Sequence, residues 1–137
     1  MADLTITAAN VAPGTNASID RSYLAGATIT AGQTVYLDTT TTTWKLADAN
    51  LSQAAAVLGG VALHGASSGQ PLAVQTRGQI TIGATVAVGT IYQLSATAGG
   101  IAPSADAVSG WYTSTLGVAI TTGIIDINIQ VSNVAKP

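Results

Sequence analysis

One stretch of the chain fits a catalytic pattern literally. Gly65-Ala66-Ser67-Ser68-Gly69 reads G-x-S-x-G, and His64 stands directly before it. In a hydrolase this pattern works because a strand-to-helix elbow exposes the serine while a helix N-terminus and backbone amides stabilise an oxyanion. Here Gln70-Pro71 and a further β-rich run follow, so no helix is at hand, and the only histidine of the chain precedes the serine by three residues. The segment reads as a turn. The six aspartates, Asp3, Asp20, Asp38, Asp48, Asp106 and Asp126, show no calcium-loop clustering. Asp48 and Asp106 suggest loop caps, there is no Glu to serve as a tuned acid, and His64 has no second His or Cys with which to share a metal. The sequence assigns no catalytic residue, no metal site and no cofactor.

The aromatic residues are the remaining candidates. Stacked on sugar rings, Trp44 or the Trp111-Tyr112 pair would make a carbohydrate-binding platform. Tyr36 and Tyr92 read as repeat-equivalent core residues, and Trp44, Trp111 and Tyr112 as anchors of an interface with a neighbouring subunit or a larger assembly, where Trp and Tyr are enriched.

Composition narrows the classes. With 137 residues and no Cys, one domain can bury a core without a disulfide or thiolate metal site. Charged residues are only 7%: six Asp, two Lys and two Arg, for a net charge of −2. Four scattered cations cannot neutralise the many phosphates a nucleic-acid binder engages. A surface so poor in charge favours association, which predicts a homo-oligomer with much of its surface covered by partners. No basic-then-apolar leader and no apolar run near the ~20 residues of a membrane span is visible, so the chain reads as soluble and made in the cytoplasm.

The elements that would position these groups are strands. Thr, Val, Ile and Gly abound, Glu is absent, and mean hydropathy is +0.44, which together predict an all-β fold. The second half also paraphrases the first. AGQTVYLD (Ala31–Asp38) returns as VGTIYQLS (Val88–Ser95), and LGGVAL (Leu58–Leu63) as LGVAI (Leu116–Ile120). Gly32 to Gly89 and Val61 to Val118 are the same separation of 57 residues. This predicts a small single-domain β-barrel or β-sandwich built from a duplicated β-meander, with related halves over about residues 27–82 and 84–134. Ala27–Thr30 and Thr34–Asp38 are expected to form a hairpin, and the Thr39–Thr43 run a hairpin tip or edge strand. The only expected helix is a turn or two within Ala47–Val57, capped by Asn50. Ile124–Val131 alternates most cleanly and is expected at the centre of the sheet.

Residues 1–14 read as a separate N-terminal strand or arm ahead of a β-domain over 15–137. Leu4, Thr5, Ile6 and Thr7 alternate apolar with polar before the Pro13-Gly14 break. A terminal strand with unpaired amides can add to the edge of another chain, so these four residues are expected to contact a neighbouring subunit or lattice and to be poorly ordered alone.

AGQTVYLD, a turn, WKLADAN, an Ala-rich stretch and LGGVALHGASSGQPLAVQTRG together resemble the small head decoration, or capsid cement, proteins of tailed bacteriophages. The resemblance covers about Ala31 to Gly78, with an echo over Val88 to Val131. It implies a small β-fold that binds the outer surface of an expanded phage capsid, with the major capsid protein as partner, often as a trimer. Such a protein stabilises the head without catalysis. The competing class is a glycan-binding module of a phage tail, fibre or surface protein.

Overall fold

The computed structural model describes residues 3–137, and the chain in it is all-β: 44% strand and 7% helix, with no helix of seven residues or more. The strands are β1 (Val11–Pro13), β2 (Ser18–Asp20), β3 (Leu24–Ala25), β4 (Thr34–Asp38), β5 (Thr43–Leu46), β6 (Gly60–Ala62), β7 (Val74–Ile82), β8 (Ile91–Leu94), β9 (Ile101–Pro103), β10 (Tyr112–Ala119) and β11 (Ile124–Ala135). They form one eleven-stranded sheet in the order β3-β5-β4-β6-β7-β11-β10-β8-β9, with β1 and β2 both paired to the long β7. The sheet does not close into a barrel.

That order is the duplication made visible. It reads β5-β4-β6-β7 outward from one side and β9-β8-β10-β11 from the other, and β7 meets β11 in the middle. The register repeats residue by residue. Thr34 pairs with Val61 as Ile91 pairs with Val118, and Val35 with Gly60 as Tyr92 with Gly117. Leu37 pairs with Trp44 as Leu94 with Ile101. Even the turn bonds repeat: Gly32 N–H donates to Ala62 O and Gly89 N–H to Ala119 O, both at 2.8 Å, and both glycines take positive φ. Tyr36 and Tyr92 are therefore not equivalent as expected. Tyr92 occupies the place of Val35, and Tyr36 that of Gln93.

Several expectations are corrected here. Each half is a meander with one step exchanged, because the chain leaves β5 and crosses past β4 before pairing as β6. β4 pairs with β5 and β6, so Ala27–Thr30 is not its hairpin partner; Ile29 instead makes a single bridge to Ala66. The helix expected in Ala47–Val57 is a single 3₁₀ turn at Ala54–Ala56, where Ser52 Oγ, not Asn50, accepts the Ala55 N–H at 3.1 Å. Thr39–Thr43 does form the β4–β5 tip, and β11 does lie centrally, with Ile125 and Ile127 buried and Asp126 and Asn128 exposed.

Two cores follow from two-sided burial of the first half. One face of β4, β5, β6 and the start of β7 carries Val35, Trp44, Ala62 and Val74, packed with Ala25, Ile29, Ala66 and Leu72. The opposite face carries Tyr36, Val61 and Leu63, and packs in the main core with Tyr92, Leu94, Ile101, Ala119 and Ile125 of the second half. The halves thus stack, the outer face of one repeat against the inner face of the next.

The hairpin tips show one unpaid local strain and one repeated cap. Asp38 Oδ1 accepts the Thr40 N–H at 2.9 Å as Ser95 Oγ accepts that of Thr97 at 3.1 Å. Thr42 has φ 56 where the matching residue, Gly99, has φ 75. A Thr in the left-handed region costs about 1–2 kcal/mol, so Thr42→Gly is expected to stabilise the domain by about 1 kcal/mol, read as a higher urea midpoint with unchanged slope.

Asp38 also pairs with Lys45, Oδ2 to Nζ at 2.7 Å. The Lys45 hydrogen bond and then the Thr40 amide hold the Asp38 carboxyl below its usual range, while Asp38 raises the Lys45 ammonium. A depressed folded-state value gives stability that is present above the unfolded value, near 3.9, and lost as pH falls through the folded one. Wild type and Asp38→Asn should therefore differ in denaturant midpoint at pH 6 and converge below about pH 3, by a small margin because the half-buried pair lies at the surface, where solvent screens it.

Candidate functional site

The structure disposes of the serine motif by geometry. Both His64 nitrogens are held by backbone: Nε2 accepts the Ala73 N–H at 3.0 Å, which leaves the proton on Nδ1, 2.9 Å from Gly65 O. The ring is a connector between the β6 exit and the approach to β7, not a base turned toward Ser67. Ser67 itself opens a tight turn, its carbonyl accepting the Gln70 N–H at 3.0 Å and its amide bound by Gln70 Oε1 at 2.8 Å. Among the described residues no group of three or more His, Cys, Asp or Glu side chains is placed to hold a metal. Asp48 does cap its loop, accepting the Asn50 N–H at 3.0 Å. Among the described residues no helix is long and apolar enough to cross a membrane.

The residues expected at an interface fall into three environments. Trp44 is only 3% exposed and lies in the smaller core, edge-on to Tyr23 with ring centroids 5.9 Å apart. It cannot anchor a partner or stack on a sugar, and this corrects its sequence assignment. Its strand alternates as an outward residue would, but the Ser18–Ile29 segment folds over it. Trp111 and Tyr112 are half-buried against the main core, with their backbones tied to Lys136 and Ala49. They reach the surface only in part.

The N-terminal segment is docked on its own domain. Leu4 and Ile6 pack on the main core, Thr5 and Thr7 face outward, and the run is extended without being a strand. Leu4 N–H donates to Ile101 O and Thr7 N–H to Gly83 O, each at 2.8 Å, and Ser95 Oγ donates to Asp3 Oδ1 at 2.7 Å. Residues 3–14 therefore pack on the single domain; Met1 and Ala2 of the expected arm lie outside the described residues. The alternation signalled half-burial correctly and could not say against which chain.

What sequence reasoning missed is a face. On the outer side of β8 and β10, Ile91 and Val118 are exposed direct cross-strand neighbours, and Val88 in the turn before β8 and Ile120 just after β10 are exposed as well. An exposed Ile–Val pair on the sheet is unusual, because an antiparallel sheet with one wet face normally alternates polar residues there. The signal was available in the repeat: the matching positions of the first half are Ala31, Thr34 and Val61, which are buried, and Leu63, which is half-buried.

No protein-family model and no curated protein sequence matches the chain.

Proposed function

We propose that this protein is a structural, non-enzymatic component of a tailed-phage virion that binds the outer surface of the capsid and stabilises it, with the major capsid protein as its partner. The observation that carries the reading is that the segment resembling head decoration proteins, Ala31–Gly78, folds as one β unit, β4 to the middle of β7, and that its single catalytic-looking motif is bound up in backbone hydrogen bonds. The low charge of the chain suits a protein that spends its working life largely covered. Physically, a ligand that binds only the expanded lattice stabilises that lattice by mass action, and modest contacts repeated over a shell sum to a large effect.

The test is co-sedimentation of the purified chain with expanded and unexpanded shells of the phage that carries it, in parallel with bacterial surface polysaccharides. Pelleting with expanded shells, and a higher shell-disruption temperature once bound, is the expected result. Pelleting with polysaccharide and not with shells would overturn the reading in favour of a glycan-binding module.

A further inference from the structure

We propose that Leu4–Thr7 is a removable stave in the second half of the sheet, and that the slot it fills is a binding site for one extended strand with apolar side chains two residues apart. The second half runs β7-β11-β10-β8-β9, and among the described residues its first and last strands do not pair with each other. The N-terminal segment lies in that gap. Leu4 N–H reaches Ile101 O of β9, the strand that ends the order, and Thr7 N–H reaches Gly83 O at the end of β7. In an extended chain successive amides point to alternate sides, so two that are three residues apart serve neighbours on opposite sides. Leu4–Thr7 therefore holds the place of a strand between two others, with a bond to each. Its side chains alternate to match: Leu4 and Ile6 turn in against the core of Ile82, Leu94 and Ile101, while Thr5 and Thr7 are exposed.

The walls of the slot are cut to admit a backbone. A Cβ at Gly83 would stand 2.5 Å from Thr7 O, and one at Gly32 would stand 2.5 Å from Ile6 Cγ2. Side chains at either place would shut the slot.

The stave is nevertheless held loosely. β11, which also lies between two strands, pairs with β7 from Ile124 to Ile127 and with β10 from Ile125 to Ala135. Such ladders have to be unzipped, whereas one bond on each side does not. Leu4 and Ile6 are only half-buried, and space is left on both flanks: a hollow of about 250 Å³ bordered by Asp3, Leu4, Ile6 and Gln33, and another of about 390 Å³ bordered by Thr5, Thr7 and Thr81. Local openings are drawn from segments with few buried apolar contacts of this kind.

The wild-type chain shows whether the stave opens alone. In amide hydrogen exchange followed by NMR, Leu4 and Thr7 are expected to exchange at least about a hundredfold faster than the amides of the β10–β11 ladder, at a rate that low urea leaves unchanged, as a local opening does. Exchange of Leu4 and Thr7 in step with that ladder, with the same urea dependence, would overturn the proposal. The slot itself is probed with a synthetic peptide of residues 3–8 and the full chain bearing Leu4→Asp and Ile6→Asp, which cannot seat its own stave. The peptide should shift the Ile101 and Gly83 amide signals of this variant saturably, at least about tenfold more tightly than those of the wild type, whose tethered stave competes at roughly millimolar effective concentration. A peptide with the same two aspartates should leave them unmoved. A folded variant that ignores the wild-type peptide, a variant that takes both peptides alike, or a variant that unfolds outright and so shows the stave to be indispensable would each count decisively against a removable stave.

Discussion

Gly117→Ala is expected to be strongly destabilising for a change of a single methyl. A Cβ at Gly117 would drive into the Asp126 carbonyl oxygen of the neighbouring β11, with Asp126 C at 2.9 Å behind it. Neither atom belongs to a side chain that can swing away. Relief requires β10 and β11 to part where Gly117 opposes Ile127, beside the irregularity between Thr115 and Gly117. We expect a loss of about 3 kcal/mol or more, the upper end of the cost of overpacking, seen as a fall in the urea midpoint. The repeat supplies an internal replicate. Gly60 meets the Gln75 carbonyl oxygen in the same way, so Gly60→Ala should behave alike. Gly123, with open space around its Cβ position and no positive φ, should accept alanine with a change of about 0.5 kcal/mol or less. Equal effects at Gly117 and Gly123 would show that backbone approach is not what fixes glycine there.

The second large effect is expected at Trp44. Its ring fills the smaller core, edge-on to Tyr23, and presses on the backbone at Gly59, where a Cβ would stand 2.6 Å from Trp44 Cζ3. Trp44→Ala empties that space and should cost about 3–5 kcal/mol, a large share of the ~5–15 kcal/mol that holds a domain of this kind together. The thermal midpoint should fall by roughly 10 °C or more. Trp44 Nε1 is buried without a hydrogen-bond partner, so Trp44→Phe gives up ring volume and also removes an unsatisfied donor. It should therefore cost at most about half as much as the alanine change. If alanine and phenylalanine are equally mild, Trp44 does not organise this core.

How far the sequence could be read depends on which kind of signal each residue carried. Gly32, Gly89, Val61 and Val118 betrayed the duplication because both halves use the same backbone bonds, and those bonds constrain residue type at fixed spacing. The aromatic pair misled by one position, since Val35 and Tyr92 are both simply large and buried in the structure. Trp44 looked outward because strand alternation gives two faces and does not say which will later be covered by a segment as irregular as Ser18–Ile29. The same limit hid the open face of β8 and β10. Leu116 to Ile120 announces a half-buried strand, but only the stacking of the halves decides that Leu116 and Ala119 go in while Val118 and Ile120 stay out. The serine motif could be read as a turn from sequence, because a pattern of small residues is cheap in a chain rich in Ala, Gly and Ser, but only the two backbone partners of His64 show what the ring does.

The stacked core also sets an order of events at the ribosome. Val61 and Leu63 are made well before Leu94, Ile101, Ala119 and Ile125, the residues that will shield them. Ile125 follows Leu63 by about 60 residues, so at roughly 5–20 residues per second the outer face of the first repeat waits some 3–12 s in the nascent chain for its cover. The smaller core closes earlier, because Trp44, Val74 and Leu72 find their partners within the first half. A stalled or truncated chain ending near Val86 would carry one finished core and one bare aliphatic face. That product is the one we would expect chaperones to hold and proteases to remove.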